Sequence, residues 1–155
     1  MLNLNNIFFE NSKKTRGASI TLLGLSFLGI LDALYLAVSH YRGVPVSCEV
    51  LTGCSTVLSS EYAVVLGVPL AVLGLVYYLG IFLSTALFLD TKKQMFLAVA
   101  LVLPFFGLLA SAFFITLQVA VIEAICFYCL ISATITLLMA CVSTYVIITG
   151  KKTSI

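Results

Sequence analysis

From residue 94 to residue 149 the chain runs for 56 residues with no basic group and a single acid, Glu123. As one helix that stretch would extend about 84 Å, close to three times the hydrocarbon thickness of a bilayer. It must therefore turn back once. Gln118 and Glu123 are the strongly polar residues inside it, so the turn is expected there. Residues 20–31 and 64–89 are also free of charge. With 62% hydrophobic and 9% charged residues, against about 25% charged in an ordinary soluble domain, the solvent for most of this chain is lipid. The net charge of +2 then carries no implication of nucleic acid, since there is no basic stripe and no Trp.

The pattern predicts an all-α membrane protein: a four-transmembrane-helix bundle with an outward, cysteine-containing loop between the first two helices. The expected spans are residues 18–39, 65–89, 95–119 and 124–149, with the outer loop at 40–64, in a single membrane domain covering residues 1–155. The first span follows Lys13, Lys14 and Arg16, as a signal peptide would. It is, however, about 20 residues long, contains Asp32 and lacks an A-x-A site after it. Gly67 and Pro69 fall in the first turns of the second span, where proline is best tolerated. Pro104 marks a place where the third span can kink if neighbours satisfy the freed carbonyl. Within the loop, residues 55–62 suggest a short interfacial helix capped by Ser55.

Four spans put both termini and the turn at residues 90–93 on one side. That side holds Lys13, Lys14, Arg16, Lys92, Lys93, Lys151 and Lys152, and only Arg42 is left for the other. By the positive-inside rule the termini are cytoplasmic, while the loop and the turn near Glu123 face outward. Three spans would instead place Lys151 and Lys152 outside.

This topology gathers four of the five cysteines at the outer face: Cys48 and Cys54 in the loop, Cys126 and Cys129 opening the last span. Cys141 lies 12 residues beyond Cys129, about 18 Å deeper. The outer face of a bacterial inner membrane, or the lumenal face of the endoplasmic reticulum, permits disulfides. Cys48 and Cys54 can therefore form a static bridge, and the thiols of Cys-Phe-Tyr-Cys can simply pack. C-x-x-C is equally the spacing of a redox dithiol, because i and i+3 share a helix face, and a helix N-terminus favours the attacking thiolate. Two pairs converging on one face make exchange through a mixed disulfide the stronger reading. Such a relay needs an electron acceptor. With no haem motif, no dinucleotide fingerprint and few metal ligands, elimination leaves a membrane quinone.

The order C-x5-C in the first outer loop, then C-x-x-C in the last helix, resembles the vitamin K epoxide reductase family, in particular its bacterial quinone-dependent disulfide oxidases. Supporting motifs are Asp32-Ala33-Leu34-Tyr35-Leu36 with His40-Tyr41, Cys48-Glu49, Gly53-Cys54-Ser55-x-Val57, Ser59-Ser60-x-Tyr62-Ala63, Gly67-x-Pro69-x4-Gly74 and Cys126-x-Tyr128-Cys129. Together they span about residues 18–143. The resemblance implies that Cys48 exchanges with a soluble thioredoxin-like partner of the DsbA type. Cys54 then carries oxidation to the membrane pair by linking to Cys126, and Cys129 faces the quinone. Ser60 matches the serine at the family's redox centre, where a hydroxyl can hydrogen-bond a quinone carbonyl or a thiolate. Quinone becomes quinol, and disulfides are exported to partner proteins. Many bacterial members carry a fused thioredoxin-like domain. This chain ends at Ile155, so the expected partner is a separate polypeptide. Ala133 stands where the animal enzymes have a tyrosine, which favours ubiquinone or menaquinone over vitamin K epoxide.

Asp32, inside the first span, is a functional candidate by default, and it shares a helical face with Tyr35, Leu36 and His40. The bland alternative is a carboxyl bonded to another helix. Glu49 and Glu61 are expected to be solvated. Glu123 favours the helix start but opposes a thiolate at Cys126. Cys141 is expected to be structural. Two other functional readings compete. The DsbB type also has four helices and two cysteine pairs, but in the reverse order. A metal-binding or structural tetraspan protein with a static loop disulfide needs no thiol chemistry at all.

Overall fold

The computed structural model describes residues 12–43, 46, 53–65 and 67–152. Within these, four helices are long and apolar enough to cross a membrane. They are α1 (Ser12–Arg42), α3 (Leu70–Thr91), α4 (Gln94–Leu117, continued by a π-helical turn Gln118–Ile122) and α5 (Phe127–Lys152). A short α2 (Cys54–Leu58) and a 3-10 turn (Glu61–Ala63) lie in the outer loop. Helices dominate because lipid offers no hydrogen bonds, so each backbone N–H and C=O must be satisfied within its own segment.

Each long helix packs chiefly on two others, closing a ring in the order α1, α3, α4, α5. The core of this ring is built from Leu22, Tyr78, Ile81, Leu97, Leu101 and Met139. Many large apolar side chains on the opposite faces, such as Phe27, Val76, Leu109 and Ile148, remain exposed, as a lipid-facing surface requires. The Lys92–Lys93 turn joins α3 to α4 at the end of the bundle where α1 begins. Lys92 takes the left-handed conformation (φ 56°) and its N–H donates to the Phe88 carbonyl at 2.9 Å, which closes the last turn of α3. The cysteine-bearing segments lie at the opposite end.

The spans differ from the sequence reading at their ends. The second helix starts at Leu70 rather than near residue 65. Val64–Val65 pairs antiparallel with Val68–Pro69, Val64 facing Pro69 and Val65 facing Val68. Pro69 biases Val68 to an extended backbone, and Gly67, at φ 82°, takes the turn conformation that glycine adopts without steric cost. Gly67 and Pro69 therefore build a hairpin, not the first turns of a helix. The expected helix over residues 55–62 is shorter and starts earlier: α2 is capped by Gly53 without a side-chain bond, not by Ser55. The third span stays helical through the buried Pro104. α1 extends well below residue 18, with Thr15 and Ser19 buried and the Ser19 hydroxyl donating to the Thr15 carbonyl at 2.9 Å.

The contact of α1 with α3 depends on Gly29, where an added Cβ would collide with the ring of Tyr78. Tyr78 cannot yield easily, because it is 1% exposed and its hydroxyl is tied to α5, donating to the Ser132 carbonyl (3.0 Å) and pairing with the Ser132 and Thr136 hydroxyls (2.7 and 3.1 Å). Gly29→Val is expected to destabilise the bundle by about 1–3 kcal/mol, the usual cost of overpacking. The check is a lowered thermal unfolding midpoint in detergent.

Candidate redox site

The site is organised by the break between α4 and α5. At the end of α4 the helix widens into a π turn, and Glu123 takes the left-handed conformation at φ 54°. The Gln118 carbonyl accepts from the N–H of Glu123 and, at 3.1 Å, from that of Ala124. The side chain of the same residue finishes the turn: Gln118 Oε1 accepts from the Cys126 N–H at 3.0 Å. Gln118 is only 4% exposed, so this bond is made where water cannot replace it.

Cys126 does not lie in the first turn of the last helix. It precedes α5 and caps it: its carbonyl accepts the first helical bond, from Leu130 N–H at 3.2 Å. A side chain at this position accepts from the free N–H groups of the first turn. Here the acceptor is sulfur, and the backbone N–H groups of Tyr128 and Cys129 point to it. The Cys126 thiol is held below its ordinary pKa, first by the hydrogen bond from the Cys129 thiol and then by these two N–H groups, with burial opposing. Glu123 is exposed.

α2 seats the loop cysteine on this turn. Gly53 approaches so closely that a Cβ would lie 2.6 Å from the Ile125 carbonyl oxygen and 2.8 Å from its nitrogen, so only glycine fits there. Cys54, 1% exposed, follows immediately, and its Sγ accepts from the Phe127 N–H at 3.3 Å. Cys54 is disulfide-bonded, whereas Cys126, Cys129 and Cys141 are free thiols. Cys54 and Cys126 belong to one buried cluster with Leu36, Val46 and Val57, and Cys129 packs against it. Cys48 and Glu49 lie outside the described residues.

Beyond Cys129 opens a cavity of about 450 Å³ to which all four long helices contribute. Its walls are mostly apolar. Leu73 of α3 and Phe106 of α4 line it yet are 42% and 65% exposed, so it reaches the lipid-facing surface of the bundle. Cys54 and Cys126 thus share one buried cluster, with Cys129 packed against it and on the cavity wall. A family model described as the vitamin K epoxide reductase family matches residues 20–144. The chain belongs to that family. It is an integral membrane oxidoreductase of the thiol–disulfide type. A search among curated proteins finds no match.

Vitamin K epoxide reductase family members use quinones, and the cavity suits such a ring. It is apolar, it has a cysteine in its wall, and it holds two buried polar atoms without hydrogen-bond partners, Asp32 Oδ2 and the Tyr77 hydroxyl. Ser60 also lines it, but its hydroxyl donates to the Val57 carbonyl at 2.7 Å, which leaves only its lone pairs for a ligand. Of the helix-1 face singled out in the sequence, Asp32, Leu36 and His40 line the cavity, while Tyr35 stacks on Tyr128 with centroids 5.1 Å apart. Cys141 is exposed on α5. Among the described residues no three His, Cys, Asp or Glu side chains gather as a metal site. Gln118, Tyr77 and Tyr78 were not singled out as site residues. Their signal in the sequence was polarity inside otherwise apolar helices.

Two outcomes follow. With Cys126 and Cys129 reduced, the thiolate absorbance that distinguishes wild type from Cys126→Ala should rise below the usual thiol range of about 8.5. In Cys129→Ala the largest lowering cause is gone, so the same transition should move to higher pH. Gln118→Leu orphans the Cys126 N–H and should cost about 1–3 kcal/mol, measurable by denaturation, with Gln118→Glu recovering part of the loss.

Proposed function

We propose that this protein is a quinone-dependent disulfide-forming oxidase of a bacterial inner membrane. In this reading both termini are cytoplasmic and the Cys48–Cys54 loop is periplasmic. It reoxidises a separate, DsbA-type thioredoxin-like protein and passes the electrons to ubiquinone or menaquinone. The observation that carries the reading is the seating of Cys54 Sγ on the Phe127 N–H, against the cap formed by Cys126, with Cys129 one turn further in on the wall of an apolar cavity.

The partner's dithiol reduces the Cys48–Cys54 disulfide and leaves as a disulfide. The Cys54 thiolate then attacks Cys126 Sγ of an oxidised Cys126–Cys129 pair. The Cys54–Cys126 bond forms as the Cys126–Cys129 bond breaks, and Cys129 leaves with the electron pair. Cys48 attacks Cys54 in turn and releases Cys126. A thiol of lowered pKa leaves faster, and the N-terminal N–H groups of α5 stabilise its charge as it departs. That exchange ends with the Cys48–Cys54 disulfide restored and the membrane pair reduced. Quinone then takes two electrons and two protons from the Cys126 and Cys129 thiols. The sum is partner dithiol plus quinone giving partner disulfide plus quinol. The excess of basic residues on the terminal side supports the orientation.

Purified protein, a reduced thioredoxin-like donor and a short-chain ubiquinone test this directly. Cys54→Ala and Cys129→Ala should each abolish quinone reduction. Cys48→Ala should block the protein donor while sparing dithiothreitol. Turnover retained in Cys54→Ala or Cys129→Ala would overturn the relay.

A further inference from the structure

Reducing a quinone moves protons as well as electrons, and the cavity must deliver them away from water. The inference that follows rests on the quinone reading. Most polar groups around the cavity are already engaged. The Tyr78 hydroxyl is held by Ser132 and Thr136, the Ser60 proton is given to the Val57 carbonyl, and Gln118 Oε1 accepts from Cys126 N–H. Among the described residues, three buried side-chain oxygens have no hydrogen-bond partner: Asp32 Oδ2, the Tyr77 hydroxyl and Ser143 Oγ. Only the first two line the cavity. The Tyr77 hydroxyl comes near Thr136 without a bond of good geometry. It is pressed against Gly107 of α4, where a Cβ would collide with it.

A carboxyl oxygen left bare in such a place costs folding energy unless a ligand or a proton compensates it. Asp32 also lies within electrostatic reach of both cysteines of the membrane pair, and of Tyr78 and Tyr128. We propose that Asp32 is the proton donor of the quinone site, giving a proton from its carboxyl to the quinone oxygen that faces α1.

The balance is complete within named groups. As the Cys126–Cys129 Sγ–Sγ bond forms, the two thiols lose two electrons and two protons. The quinone's two carbonyl oxygens gain those electrons and two protons. One proton passes through Asp32, which is recharged by a proton released from the thiols. Among the described residues, the other groups able to titrate around Asp32 are His40 and Tyr35 on its own helix, Tyr77 and Tyr78 on α3, Tyr62 in the outer cap, and Cys126, Tyr128 and Cys129 at the start of α5. α4 contributes no titratable side chain to the lining, and among the described residues no Lys or Arg lines the cavity.

The test uses the full chain in detergent, a reduced thioredoxin-like donor and a short-chain ubiquinone, with kcat and KM measured across pH. Asp32→Asn keeps the shape but carries no acidic proton to transfer. Its kcat should fall about 100-fold, in the range for a lost general acid. KM should change far less, and the limb of the pH profile set by the carboxyl should flatten. Asp32→Glu should retain most of kcat with a displaced profile. Donor oxidation in a single turnover without quinone reports whether a variant's cysteine relay is intact. Should Asp32→Asn fail that check, Asp32→Glu carries the test, and a profile identical to wild type would overturn the inference. Unchanged kcat and pH profile in an intact Asp32→Asn would overturn it and leave the proposed function standing. Wild type inactive with every quinone tried would remove the proposed function and this inference with it.

Discussion

The hydrogen bond from Cys126 N–H to Gln118 Oε1 is the contact on which the site depends. A chain that turns back at a membrane surface leaves several backbone groups without helical partners. Here the carbonyl and the side chain of one buried residue take up three of them. The turn is thereby fixed tightly enough for Gly53 to rest on Ile125 and for Cys54 to meet Phe127. If the turn were looser by an ångström, the three sulfurs would lose their order, because exchange requires the attacking and attacked sulfurs to approach directly.

The membrane sets the remaining constraints. Lipid rewards no burial of apolar surface between helices, so association rests on close packing and on polar contacts. Gly29 against Tyr78, and Tyr78 against Ser132 and Thr136, supply both kinds in one place. They join α1, α3 and α5 at the cavity wall. The same scarcity of water makes each unpartnered polar atom expensive, so polar atoms kept bare at a cavity wall point to a ligand rather than to the fold.

Much of this arrangement could be read from residues alone. The charge-free lengths required four crossings, and the lone Glu123 located the last turn. Cysteine spacing and basic-residue asymmetry grouped Cys54 with Cys126 and Cys129 at one end, where they share one cluster. Helix starts were less legible. Gly67 and Pro69 fit equally a first helical turn and a hairpin, and only the pairing of Val64 with Pro69 decides between them. Cys126 as a cap rather than a first-turn residue was hidden for a related reason: the π turn shifts the start of α5 by a few residues, and no local preference encodes that shift. Gln118 was visible as a polar interruption, but its partner is eight residues away across a turn, beyond the reach of helical periodicity.

The step of three residues between Cys126 and Cys129 gives two thiols different surroundings from one motif. Cys126 sits outside the helix, where its sulfur receives the free N–H groups of the first turn and rests beside Cys54. Cys129 sits inside the helix, where the next N–H, that of Leu130, is spent on the Cys126 carbonyl and its side chain borders the cavity. The first position favours a sulfur that must depart as an anion, and the second favours one that faces an apolar ring. The relay proposed above, from the outer loop to the cavity, needs that asymmetry. Placing the C-x-x-C motif across the helix start produces it with no charged residue between Glu123 and Lys151.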